Sequence, residues 1–137
     1  MPFVLDASVA LCWAFEDEDH PMAALAFRRI RIDDAVVPSL WWFEVRNALI
    51  SNERRGRLTE AECASFLRDL SRLPVTVNAT PDEAGVLGLA RRHRLSVYDG
   101  SYLDLARRMG LALATLDAEL ARAAQREHVR LLERAVD

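Results

Sequence analysis

The stretch Val97–Asp117, VYDGSYLDLARRMGLALATLD, decides how the rest of the chain is read. Asp99 stands before Gly100 and Ser101, and Leu103, Leu105, Ala106 and Met109 then recur at helical spacing. Asp99 or Ser101 is expected to cap this helix, which sets the Asp99 carboxylate at its positive N-terminus. Gly110 is the expected helix stop. Leu111–Leu116 is an apolar run long enough for one buried strand, and Asp117 follows at its C-terminal end. In open α/β sheets that edge is where ligands bind. Two carboxylates brought to one edge by a helix and a strand suggest a metal site.

The same logic extends upstream. Phe3–Leu5 reads as a strand ended by Asp6, with Ser8 capping an apolar helix over Val9–Phe15. The acidic run Glu16–Asp19, with His20 and Pro21, breaks it, and Met22–Ile30 forms a second amphipathic helix. Ala35–Val37 is a second strand closed by Pro38. Ser39 then caps a long helix to Arg54, in which Phe43, Ala48 and Leu49 face the core and Glu44, Asn47 and Ser51 make a polar stripe. Thr59 with Glu62 is a capping box for a helix to Leu70. Val75–Val77 is a third strand and Pro81–His93 a further helix. Ala118–Arg126 is the last helix, and Val129–Leu132 a last short strand. Strands alternating with helices argue for an α/β/α sandwich: a central, mostly parallel sheet of about five short strands with helices on both faces. Residues 1–137 are expected to form one domain.

Composition narrows the classes of function. At 51% hydrophobic and 28% charged residues the chain reads as a soluble, cytoplasmic globular protein. No apolar run approaches membrane-spanning length, and no basic segment precedes the first apolar residues, so neither a membrane partner nor a signal peptide is expected. Cys12 and Cys63 are isolated and read as free thiols. Net charge is −3, yet all 18 basic residues are arginine. They cluster at Arg28, Arg29 and Arg31, at Arg54, Arg55 and Arg57, at Arg91, Arg92 and Arg94, and at Arg107 and Arg108, as solvated helix faces or as phosphate contacts.

Under right-handed winding, Asp6, Glu44, Asp99 and Asp117 all fall at one sheet edge. Such a set of oxygens suits a hard divalent cation, Mg²⁺ or Mn²⁺, with Ser8, Asn47 and Thr115 in support. Taken singly, each Asp is as readily a helix cap and Glu44 a solvated residue. Rival chemistries lack their motifs. There is no GxxxxGK[ST], GxGxxG or GxSxG. The chain has no Lys for a phosphoacceptor site, and His20, His93 and His128 are scattered in the manner of surface residues. Trp41 and Trp42 are adjacent, so one is expected in the core and the other at a rim. With Trp13 they also suit a partner-binding groove.

With these residues in view, the chain resembles the PIN-domain ribonucleases, specifically the VapC-type toxins of bacterial toxin–antitoxin pairs. FVLDASVALCWAF resembles the family's first strand and helix, with Asp6 and Ser8 matching. VVPSLWWFEVRNAL resembles its second strand and long helix, with Glu44 and Asn47. SVYDGSYLDLARRMGLALATLD is similar to its most recognisable segment, with Asp99, Thr115 and Asp117. The resemblance implies a PIN-like fold, a Mg²⁺- or Mn²⁺-dependent endoribonuclease with Asp6, Glu44, Asp99 and Asp117 as catalytic metal ligands, an RNA substrate, a homodimer and a small cognate antitoxin. The departures are Arg46 and Gly100, where small residues and Ala are common, and Glu127 in place of a frequent Gly. A structure-specific DNA nuclease of this fold, or a vestigial metal- or protein-binding module, are the competing expectations.

Overall fold

A computed structural model describes residues 1–133. Its elements are β1 (Phe3–Leu5), α1 (Ala7–Cys12), α2 (Pro21–Arg29), β2 (Ala35–Pro38), α3 (Leu40–Arg54), α4 (Glu60–Ser71), β3 (Val75–Asn78), α5 (Glu83–His93), α6 (Val97–Met109), β4 (Ala112–Ala114) and α7 (Ala118–Arg126). The sheet runs in the order β3-β2-β1-β4, every pairing parallel. The expected fifth strand is reduced to a single parallel bridge, Leu131 to Leu113, on the outer side of β4.

β1 and β2 are buried along their whole length, as strands covered on both faces must be. Phe3, Val4 and Leu5 join Tyr102, Leu103, Leu105 and Leu120 in one apolar cluster. Each such side chain contributes roughly 1.5–3 kcal/mol when withdrawn from water. The winding delivers the C-terminal ends of β1, β2 and β4, and the helix starts that follow, to one rim.

Local details depart from expectation for identifiable reasons. Ser8 lies inside α1, whose N-cap position is held by Asp6 without a side-chain cap bond. Ser39 likewise occupies the N-cap position of α3 without making one. Ser96, not Asp99 or Ser101, caps α6, its hydroxyl accepting from the Asp99 N–H, so Asp99 stands in the helix's first turn. The Thr59–Glu62 capping box forms as expected, and Gly110 ends α6 with φ +66°. On α3 the buried stripe is Trp41, Val45 and Leu49. Phe43 is 67% exposed and does not face the core, and Trp42 sits at the rim. α5 and α6 approach closely: a Cβ on Gly100 would sit 3.1 Å from the Val86 carbonyl oxygen, a physical reason for Gly where Ala is common. Cys12 and Cys63 are buried free thiols.

Candidate functional site

Asp6 ends the central strand and is buried. Its Oδ2 accepts hydrogen bonds from Ser8 Oγ and Thr115 Oγ1, both at 2.7 Å. The two hydroxyls are themselves fixed: Ser8 Oγ accepts from Leu116 N, and Thr115 Oγ1 accepts from Asp117 N. β4 is thereby fastened to the end of β1 by side chains as well as by its ladder. Asp117 Oδ1 accepts from Glu119 N and Leu120 N, so Asp117 caps α7 while standing at the rim. Glu44, one turn into α3, accepts at Oε1 from the Tyr102 hydroxyl at 2.6 Å. The Asp99 side chain has no hydrogen-bond donor among the described residues, and none of the four forms an ion pair there.

Mutual proximity is written in their ionisation. Burial pushes Asp6 above the ordinary carboxylate range, and Asp117 adds to the rise against the opposing hydroxyl bonds. Glu44 is raised by burial and by the charges of Asp6 and Asp99, opposed by the Tyr102 bond. Asp99 is pushed up to about 6 by burial, then by Asp117, Asp6 and Glu119. A like charge nearby disfavours the ionised form. Burial, the Glu44 bond and the neighbouring acids raise Tyr102 far above the ordinary phenol range, so it stays a donor.

The structure thus sets Asp6, Glu44, Asp99 and Asp117 along one rim, near enough for their charges to be felt there, with Ser8 and Thr115 supporting Asp6. It does not bring Asn47 into the cluster: Asn47 is exposed and makes no hydrogen bond to any of the four. Tyr102 is the functional residue that sequence reasoning missed. Its only signal is its place one helical turn after Asp99. Among the described residues no three His, Cys, Asp or Glu side chains close around one point as they stand. The donor chemistry nonetheless fits a hard cation. Asp6, Glu44 and Asp117 each give one oxygen to hydrogen bonds, leaving the other without a donor, and Asp99 leaves both.

A cavity of about 510 Å³ opens beside Ser8 and Leu116 and reaches Arg57. There Arg57 stacks 4.4 Å over Phe15 and pairs with Asp17 and Glu18. Arg46 lies 4.2 Å over the Trp42 ring. His93 is no surface residue: its ring is buried against Glu127 at 2.6 Å.

Comparison with known proteins agrees with this architecture. The profile of the PIN domain matches residues 3–126. The chain is 31% identical over 124 residues to Ribonuclease VapC3 of Pyrobaculum aerophilum, spanning 88% of this chain and 93% of that protein. It is 34% identical over 121 residues to Ribonuclease VapC3 of Mycobacterium tuberculosis, spanning 88% and 85%. Among solved structures it superposes on PAE2754 from Pyrobaculum aerophilum with a TM-score of 0.71 at 26% identity, over 90% of this chain and 84% of that one. It also superposes on Mycobacterium tuberculosis VapC20, described as a Sarcin-Ricin loop cleaving toxin, with a TM-score of 0.63 over 88% and 94%. At 13% identity that second likeness is one of fold. The chain belongs to the PIN-domain family, in its VapC-type branch.

Proposed function

We propose that this chain is a Mg²⁺- or Mn²⁺-dependent endoribonuclease, the toxin of a toxin–antitoxin pair. The observation that carries the proposal is the rim cluster: Asp6, Glu44 and Asp99 are raised by burial and by neighbouring acids, Asp117 stands beside them, and among the described residues no cationic side chain pairs with any of the four. Ribonuclease names among its relatives supply the substrate class. Asp6, Glu44, Asp99 and Asp117 would hold the divalent ion, which when bound supplies Lewis acidity at the scissile phosphate and lowers the pKa of water. Ser8, Thr115 and Tyr102 fix the orientation of Asp6 and Glu44 through their hydroxyls. The carboxylates supply geometry and charge, and any one of them can take the proton of the attacking water.

Water attacking phosphorus needs no ribose 2′-hydroxyl as nucleophile. Products are therefore expected to carry 5′-phosphate and 3′-hydroxyl ends. The test incubates purified protein with labelled RNA and DNA side by side, with Mn²⁺, Mg²⁺ or EDTA. Full RNA cleavage in EDTA, or 2′,3′-cyclic phosphate ends, would overturn the mechanism. Cleavage of DNA alone would favour the DNA-nuclease reading.

The partners follow the same reading. Trp41 is buried and unavailable. Trp13 and Phe27 instead stand edge to face beside a cavity of about 250 Å³ between α1 and α2. An antitoxin would lay an apolar helix there and bring an Arg or Lys to Asp6 and Asp99. A second copy of the chain would cover Trp42 and Phe43. Co-purification from the native host and light scattering of the toxin alone test these two contacts. The protein would act in the cytoplasm, where its RNA substrate is.

A further inference from the structure

A third cavity, of about 220 Å³, lies on the same rim beyond β2 and β3. It adjoins the carboxylates through two of its lining residues: Tyr98 precedes Asp99, and Leu40 lies one turn before Glu44. Its walls are mostly carbon, from Leu40, Val86, Val97 and Leu105, and the exposed Tyr98 ring stands at its edge. Its polar groups are few: Asn78, Ser101 and Arg108. The Ser101 hydroxyl is donated to the Tyr98 carbonyl oxygen, so toward the cavity it can only accept.

Arg108 is held in an unusual way. Its Nε donates to Asp104 Oδ2 at 2.7 Å, and Asp104 is fully buried. A Cβ at Gly85 would overlap Asp104 Oδ1, so α5 carries a glycine where that carboxylate lies. Arg107 is shared between Asp104 and Glu127, whereas Arg108 is tied through Nε alone. Both Nη groups of Arg108 are without a partner among the described residues. A buried carboxylate is costly, and here it fixes one planar fork at the lip of an apolar slot.

On the ribonuclease reading above, we infer that this cavity binds an unpaired guanine base of the RNA, beside the scissile phosphate. A phosphate would lose its hydration against carbon walls, whereas a flat base would not. The two free Nη groups match the O6 and N7 acceptors of guanine, and Tyr98 offers a stacking face of the kind that holds splayed-out bases. The site makes the enzyme selective for sequence at one position near the cut.

The test has a binding arm and a cleavage arm. Guanosine and cytidine 5′-monophosphates are titrated in EDTA by ligand-observed NMR into wild type, Arg108→Lys and Arg108→Met. Wild type should prefer the guanosine nucleotide by about tenfold, the discrimination of one bidentate pair, and both variants should lose that preference. Arg108→Lys keeps a cation beside Asp104, so loss of the fold is not the cause of its result. With Mn²⁺ and single-stranded RNA of randomised sequence, wild-type cuts should show guanine at one fixed position, and the variants should cut without that bias. Equal affinities in wild type, full preference in Arg108→Lys, or unchanged cut-site profiles would each overturn the inference. Selective guanosine binding by a wild type that cuts no RNA would leave the pocket standing and remove the ribonuclease reading instead.

Discussion

Two sets of buried and half-buried acids face opposite circumstances in this fold. Asp104 and Glu127 are each clasped by arginines, at 2.7 Å from Arg108 and from Arg92 respectively. Asp6, Glu44 and Asp99 face one another and Asp117 instead. Although burial works to raise it, Glu127 is brought below the ordinary carboxylate range by Arg92 and His93. Asp99 is driven up to about 6. The same residue type thus serves structure where its charge is matched inside the chain, and function where the matching charge must come from elsewhere.

Breaking the unmatched set should cost activity most. Asp6→Asn, Glu44→Gln, Asp99→Asn and Asp117→Asn are each expected to lower RNA cleavage by at least about a hundredfold, since on the proposed mechanism each would remove a charged ligand of the catalytic ion. A single-turnover assay in Mn²⁺ reads this, and any variant with near wild-type rate removes that residue from the site.

Breaking the matched set should cost stability instead. Asp104→Ala leaves Arg107 and Arg108 without their buried partner and is expected to destabilise the fold by about 2 kcal/mol. That is below the full cost for a buried pair, because the arginines remain partly solvated. Denaturant unfolding measures it, and an unchanged midpoint would show that the clasp contributes nothing.

Tyr102→Phe sharpens the contrast by loosening Glu44 without changing charge. Cleavage should fall about tenfold, as for groups that would orient metal ligands, with the loss shown mainly as a higher metal concentration needed for half-maximal activity.

The smallest effect should have the opposite sign. In EDTA, Asp99→Asn removes a repelled charge and is expected to stabilise by about 1 kcal/mol, discounted because Asp99 is half-exposed. Added Mg²⁺ should raise the wild-type melting point more than the variant's. The pH dependence follows. Asp99 titrates higher in the folded chain than its ordinary 3.8, so between that value and about 6 the folded state holds the extra proton and stability falls as pH rises. Glu127 is lowered from 4.5, so its contribution is present above that value and lost as pH falls through its folded value. Wild type in EDTA should therefore melt highest where these windows overlap, between 3.8 and 4.5, and Asp99→Asn should flatten the upper limb.

How much of this was legible in the sequence depended on the range of the signal. Asp6 and Asp117 could be read because each directly follows a short apolar run, and Glu44 because it lies on a helical stripe. Phe43 misled because it is apolar. The buried stripe is Trp41, Val45 and Leu49, and Phe43 lies about 200° round the helix from Trp41. Asn47 shares the stripe of Glu44 but is exposed and hydrogen-bonds none of the four carboxylates. Ser96 is hard to read as the cap because the polar Asp99 and Ser101 compete for the role from inside the helix. The bonds of Tyr102 to Glu44 and of His93 to Glu127 join residues 58 and 34 positions apart, and no local pattern announces them. Asp104 was unreadable for the same reason: only the approach of α5 at Gly85 buries it.

The hydrogen bond from Thr115 to Asp6 joins residues 109 positions apart, and it closes only when β4 docks against β1. Contacts of such long separation form late, after the loop-closure entropy has been met. A chain emerging from the ribosome therefore presents Asp6, Glu44 and Asp99 before Thr115 and Asp117 exist to complete the rim. At roughly 5–20 residues synthesised per second, the stretch from Asp99 to Asp117 takes about 1–4 seconds. For a nuclease, that order of synthesis keeps the rim incomplete until the strand leading to Thr115 has been made and has docked.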